Sequence, residues 1–479
     1  MPFGFLAKLN KPWLIRLGII VTTLSMLLAV GFAMAQVSPA FVLLALVAPL
    51  GIVAVVAHLE LGIVAILLAG FFVRIRIPTG TASEIVISLM ISLGCIGLWV
   101  VRMLVVEKRL ALKPAATNVP ILAFMVTVAF SWVWSRAFRD VFVHEAGHPL
   151  VSVVAALVMV LLPGCFLLVS NNIRDVRWLK VLVATLLGEG LIALVIDLGS
   201  SLGVSPLRTL NQFLYTNRAI QINTHGLLSN WCMSFALALA LFNRRLHWLV
   251  RLSLLAYTAA WVYWGFSLRV TWLSGWAPAF VAAAVVTLMR SKRLFAVLML
   301  VMVLGAGMYY WRTQLQGESE RSGETRWAAY QVNWRVTGKH LLFGTGPAGY
   351  ASYYMSYFPD EGMATHSNYI DIVAQTGIVG TAFILWFFGA QAWNSYKLRR
   401  ALQGRSDFAE SLSVAVLAGT AGCVIAMALG DWLLPFVYTQ GIPGFDLAVY
   451  NWMFMGSLWA LGYSLQAQAT TRGNLQMVG

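Results

Sequence analysis

The chain has 479 residues, of which 60% are hydrophobic and only 11% charged, with a mean hydropathy of +0.78. A soluble globular protein carries roughly 25% charged residues, so water is not the main solvent of this chain and a soluble enzyme is excluded. The formal net charge of +15 lies at the ends of apolar segments rather than along one solvated face, which points to anionic lipid and membrane orientation and away from nucleic acid.

The first residues, MPFGFLAKLNKPW, have the basic start of a signal peptide, but no small-residue cleavage site clearly follows the first apolar run, which reads as a retained anchor. Further apolar runs recur along the chain, near 13–34, 40–57, 60–74, 84–106, 119–134, 149–170, 176–197, 226–243, 246–266, 270–289, 294–312, 369–395, 411–434 and 449–467. Each suits a helix crossing about 30 Å of hydrocarbon. Solid apolar blocks rather than short alternating strands exclude a β-barrel, because only helices and closed barrels satisfy their backbone in lipid. The expected fold is therefore an all-α polytopic integral membrane protein of roughly 12–14 transmembrane helices, read as one membrane domain over residues 1–479.

With a cytoplasmic N-terminus, alternate loops collect Lys8 and Lys11; Lys108, Arg109 and Lys113; Arg174 and Arg177; Arg244 and Arg245; Arg290, Lys292 and Arg293; and Lys397, Arg399, Arg400 and Arg405. That is the positive-inside pattern. Basic residues on the other side run against it and need another reason. They gather in an outer loop at 198–225, with Arg208 and Arg218, and in a larger one at 313–368, with Arg321, Arg326, Arg335 and Lys339. The larger loop also carries Trp327, Tyr330, Trp334, Tyr350, Tyr353, Tyr354 and Tyr357, too aromatic for a solvated linker, and is expected to fold onto the bundle.

The four cysteines, Cys95, Cys165, Cys232 and Cys423, lie in or beside apolar runs without metal or redox spacing and read as packing residues. The string His144-Glu145-Ala146-Gly147-His148 matches H-E-x-x-H, which on a helix sets two imidazoles around zinc with a glutamate as base. The zincin continuation with a third histidine is absent after Pro149, and Asp197 is a poor stand-in for the distal aspartate of an intramembrane metalloprotease. No metal is expected there.

Between Arg326 and Gly380 the chain reads RWAAYQVNWRVTGKHLLFGTGPAGY and then HSNYIDIVAQTGIVG. This stretch resembles the O-antigen ligase and O-antigen polymerase superfamily, which carries an arginine, an amphipathic aromatic stretch, a G-x-G turn, and a His-Ser/Asn element opening a helix with T-G-x-x-G. Here these are Arg326; Gly344 and Gly346; His366, Ser367 and Asn368; and Thr376, Gly377 and Gly380. The likeness covers about 70 residues. Leu341 stands where a proline often precedes the turn and Tyr330 where tryptophan is usual. Residues 217–231 look like the family's second outer arginine region, without a clear Pro-Asn element, and make Arg218 a weaker match than Arg326.

The resemblance implies a membrane glycosyltransferase with a GT-C-type architecture in the cell inner (cytoplasmic) membrane, its active site on the periplasmic or extracellular side. It would move a glycan from undecaprenyl diphosphate to a hydroxyl acceptor. Arg326 and Arg218 would hold the leaving diphosphate, since guanidinium groups stay charged and bond two oxygens at once. His366 would take the acceptor's proton, because histidine as a residue type has a pKa of about 6.5. Arg335, Lys339 and Asn368 are supporting positions. The outer loops show no D-x-D string, so no cofactor is expected, and the transfer is read as metal-independent and inverting.

The acceptor stays open: a lipid A core for a ligase, another lipid-linked repeat unit for a polymerase, or a protein hydroxyl for an O-oligosaccharyltransferase. A lipid-linked glycan transporter would also place arginines near a diphosphate. Such proteins commonly carry repeated halves and mid-bilayer polar groups. No repeat is visible here, and Glu189 and Asp431 are the few acidic candidates.

Overall fold

The computed structural model describes residues 51, 54–78, 84–144, 150–269, 272–316, 318–359 and 365–476. The expected spans at 13–34 and 40–57 therefore lie almost wholly outside the described residues. From 60–74 onward, each expected span coincides with a helix.

In chain order these elements are α1 Leu59–Phe72, a two-stranded hairpin of β1 Arg76–Pro78 and β2 Glu84–Val86, α2 Ile87–Val101, α3 Asn118–Ala137, α4 Leu150–Asn172 and α5 Val176–Ser201. There follow α6 Ser205–Thr216, α7 Leu228–Phe242, α8 Trp248–Tyr263, α9 Leu273–Arg290, α10 Lys292–Gln316, α11 Glu318–Thr337, α12 Gly349–Tyr357, α13 Asn368–Ala401, α14 Phe408–Leu429 and α15 Gly444–Gln476. Among the described residues, seven helices are long and apolar enough to cross a membrane, with α1 and α7 as shorter apolar helices.

The chain divides into two compact units, Met1–Ile66 with Ile91–Ala111, and Leu67–Met90 with Leu112–Gly479. In the first, a Cβ added at Gly62 would come within 2.5 Å of the Cys95 sulfur, so glycine there allows close helix packing. In the second, α14 packs on α7, α9 and α13, α4 on α15, and α3 on α13. Its interior holds hydrogen-bonded polar groups as well as apolar ones. The Trp231 indole N–H donates to Asn451 at 2.7 Å, and Gln391 donates to the Met455 carbonyl at 2.9 Å. In hydrocarbon such groups need internal partners.

Both expected outer loops are helical in part. The 198–225 loop contains α6, whose Leu207 packs under Gly199 and whose Leu214 is buried. The spacing of Leu207, Leu210 and Leu214 puts them on one face of an amphipathic helix. The 313–368 loop contains α11 and α12, and Tyr350, Tyr353 and Tyr354 of α12 are buried with Val332, Val336, Ala374 and Phe436. Those three tyrosines pack α12 into this cluster, whereas Trp327, Trp334 and Tyr357 of the same loop are exposed. All four cysteines are buried, and none forms a disulfide.

One backbone feature organises this end of the second unit. Helix α13 breaks at Gly377, whose φ of 68° and ψ of −171° are not helical. The break frees the carbonyls of Ala374 and Gln375, which accept from the amides of Thr345 (2.8 Å) and Gly346 (3.0 Å). The freed amide of Ile378 in turn donates to the Leu341 carbonyl at 2.8 Å. A Cβ at Gly377 would lie 2.2 Å from the Leu342 oxygen, and one at Gly344 would lie 2.4 Å from the Gln375 carbonyl carbon. The G-x-G and T-G elements are therefore two halves of one backbone lock, and Ser131 of α3 bonds both through the Phe343 and Gln375 carbonyls. Leu341 takes part through its carbonyl, which a proline could supply equally.

Candidate active site

The site forms where α14 ends. The last carbonyls of any α-helix lack partners within it and make that end electronegative. Here three residues supply donors. The Ser367 hydroxyl donates to the Met427 carbonyl at 3.3 Å, the Asn368 amide to Gly430 at 3.4 Å, and the Arg326 guanidinium to Leu429 at 3.4 Å. A cation at a helix C-terminus is electrostatically favoured, and Arg326 occupies that position from α11.

Immediately beyond, Asp431 is buried and well satisfied. It accepts from the Phe436 amide at 3.1 Å, the Thr439 hydroxyl at 2.5 Å and the Gln440 amide at 2.9 Å. His366 Nδ1 lies 3.9 Å from Asp431 Oδ1, an ion-pair distance too long for a direct hydrogen bond. Burial alone would raise the Asp431 pKa, but His366, Thr439 and the Phe436 amide hold its carboxyl below the usual range.

Of the four residues 365–368, three point inward. Thr365, Ser367 and Asn368 are buried, whereas the His366 side chain is 51% exposed. His366 also has a φ of 48°, in the left-handed region. That conformation is uncommon for a non-glycine residue, though histidine is enriched there. The inward neighbours hold the turn. Asn368 accepts from the Leu433 amide (3.0 Å) and donates to the Leu434 carbonyl (2.7 Å), pinning the 431–436 segment. Thr365 donates to Asp371 at 2.5 Å, as does Tyr350 at 2.6 Å. Tyr350 stacks on Phe436 with ring centroids 4.2 Å apart, and burial followed by the Asp371 carboxylate pushes its hydroxyl far above the usual tyrosine range, so it stays a donor.

A cavity of about 610 Å³ lies beside this segment, lined in part by Arg74, Arg76, Asp197, Arg269, Trp432 and Gln440. Gln440 links the two, since its amide donates to Asp431 while its residue lines the cavity. Arg269 pairs with Asp197 at 3.4 Å, and Arg74 donates to the carbonyls of Tyr215 (2.6 Å) and Asn217 (3.0 Å).

The sequence-expected residues thus fall into two groups. Arg326, His366 and Asn368 meet at residues 429–434. Arg218 is exposed in the turn after α6 and is not among the residues lining the cavity, while Arg335 and Lys339 are exposed at the end of α11 and just past it. The sequence singles out Asp431 only as one of few acidic candidates and Tyr350 only as one of the aromatics of the larger loop, and it gives no pattern that marks Asp371, Arg74 or Arg269. The available signal was an aspartate placed between an apolar run and the aromatic segment DWLLPF. In H-E-x-x-H, His144 is exposed and its amide donates to Ser356 at 2.9 Å. Glu145 and His148 lie outside the described residues.

Fold and site together define a multi-pass α-helical membrane protein with a histidine–carboxylate pair and an arginine gathered at one helix end. Residues 229–385 match the family model described as O-antigen ligase, so over that stretch the chain is similar to this family. Its members are glycosyltransferase-like enzymes. Arg326, Arg335, Lys339, His366 and Asn368 lie within the matched residues, and Arg218 and Asp431 outside them. No curated protein matches the chain.

Proposed function

We propose that this protein transfers a glycan from undecaprenyl diphosphate to a hydroxyl acceptor at the outer face of the inner membrane, in a ligase-like, metal-independent and inverting reaction. The observation that carries this reading is the convergence of His366 and Arg326 on residues 429–431, with one bearing on Asp431 and the other on Leu429. A base and a fixed cation a short reach apart are what single displacement on a glycosyl diphosphate needs.

In this mechanism His366 accepts the acceptor hydroxyl's proton as oxygen attacks the anomeric carbon. Asp431, kept ionised by its three donors, orients the imidazole and stabilises its protonated form. The bond to the diphosphate breaks on the opposite side, and Arg326 stabilises the charge that develops on the leaving oxygens. The cavity walls of Arg74, Arg76 and Arg269 support an anionic group close by, and Trp432 offers an aromatic face to a sugar. Arg218 belongs to the turn that Arg74 ties down at Asn217, and we assign it to the diphosphate with Arg326. Arg335 and Lys339 are assigned supporting roles.

The test is transfer from purified lipid-linked glycan by the protein in detergent, with a lipid A core or a second lipid-linked unit as acceptor. Product on the lipid A core that disappears in His366→Ala supports the reading. Product only on the second lipid-linked unit would make the protein a polymerase, and activity retained in His366→Ala would end the mechanism.

A further inference from the structure

At the other end of α13 from His366, a crevice of about 590 Å³ opens between the start of α5, the α7–α8 connection and the α13–α14 connection. Its composition changes with depth. Arg177, Lys180, Arg245 and Arg405 lie at the helix ends, while Val183, Ala184 and Leu187 of α5 and Val250 and Leu254 of α8 continue along the helices. Lys180 to Leu187 spans about 10 Å at 1.5 Å per residue, which is the distance from a headgroup into the acyl region. Ala184 and Val250 are exposed on the protein surface, so the apolar stretch is open to the surrounding hydrocarbon.

The charges are unbalanced in favour of cations. Two carboxylates line the crevice, Asp175 and Asp407, and both are committed to helix starts. Asp175 accepts from the Arg177 amide at 2.8 Å, and Asp407 accepts from the amides of Ala409 (3.0 Å) and Glu410 (3.2 Å). Asp407 also binds Arg405 at 3.0 Å and sits 3.9 Å from Arg245. That holds two guanidiniums side by side over one carboxylate, and the Lys180 ammonium lies 5.7 Å from the ring centre of Phe408, the first residue of α14. Four cations over an apolar slot match a phosphate carrying an acyl chain.

We infer that this crevice binds an anionic phospholipid of the bilayer, its phosphate among Lys180, Arg245 and Arg405 and one acyl chain along Leu187 and Leu254. The lipid would tie α5 and α8 to the connection that leads into α14, the helix whose far end carries the candidate site. This inference is independent of the transfer reaction proposed above.

The experiment is native mass spectrometry of the full chain, delipidated in a zwitterionic detergent and titrated with phosphatidylglycerol, phosphatidylcholine or inorganic phosphate. Phosphatidylglycerol should bind at least about tenfold more tightly than phosphatidylcholine, a difference of about 1.4 kcal/mol. Lys180→Gln and Arg245→Gln should each reduce that preference and the pair should abolish it, while Arg400→Gln, at the exposed end of α13, should leave it intact. Millimolar inorganic phosphate should not compete. Equal binding of the two lipids, or an unchanged preference in the double variant, would overturn the inference. Full competition by phosphate would mean a free-anion site instead. If the double variant does not fold, the two single variants carry the same comparison.

Discussion

His366 Nδ1 lies 3.9 Å from Asp431 Oδ1, and of these two residues only the histidine reaches solvent. The pair is asymmetric by construction: the aspartate is fixed by Phe436, Thr439 and Gln440, and the histidine is free to meet a substrate. His366→Ala should therefore lower turnover by about 10²- to 10⁴-fold without loss of fold. Asp431→Asn should cost less at saturating substrate and change the pH profile of the rate, because it removes an orienting charge and leaves the imidazole in place. Rates across pH for both variants, with circular dichroism as the folding control, check this. An unaltered profile in Asp431→Asn would remove the orienting role.

Asp431 also makes an acid-stability prediction. Its carboxyl is held below the usual range, so the folded state favours the ionised form. That stability is present above the ordinary aspartate pKa of about 3.9 and is lost as pH falls from there through the lower folded value. Thermal unfolding in detergent should show a steeper drop below about pH 4 for the native chain than for Asp431→Asn.

Arg326 should behave differently from His366. Its assigned partner is the diphosphate, so Arg326→Ala should weaken donor binding as well as turnover, with about 10²- to 10³-fold lost in rate. Arg326→Lys should recover little, since lysine keeps the charge but not the two-pronged geometry. Donor titrations at fixed acceptor separate KM from kcat. EDTA should leave transfer intact, and stoichiometric zinc in purified protein, lost in His148→Ala, would contradict the metal-independent reading.

The backbone lock gives a stability test. Gly377→Ala should destabilise by about 1–3 kcal/mol from its positive φ alone, before the contact with Leu342 is counted. Gly389→Ala, in the same helix with nothing within 4 Å of an added Cβ, should be neutral or mildly stabilising. Melting temperatures of the two variants in one detergent make the comparison.

Orientation can be read with an impermeant thiol reagent on cells whose cytoplasmic membrane is intact, because the native cysteines are buried. Lys339→Cys should label and Arg400→Cys should not. The reverse pattern would turn the candidate site to the cytoplasm.

Hydropathy is a sum over neighbours in the chain, so the sequence alone determined the membrane solvent, the helical class and the apolar helices, but not α6, α11 and α12, which lie in the two stretches read as loops. The lone histidine and arginine of the motif were legible for the same reason, since their neighbours carry the pattern. The tertiary structure decided what those residues meet. Asp431 comes to His366 only because Asn368 pins Leu433 and Leu434, which is a contact between distant segments that no local pattern encodes. The break at Gly377 is invisible to periodicity, because the apolar run continues through it and only the carbonyls it releases to Thr345 and Gly346 reveal it. Arg74 and Arg269 carry no local pattern, and became cavity walls only when packing brought the ends of their helices around one space.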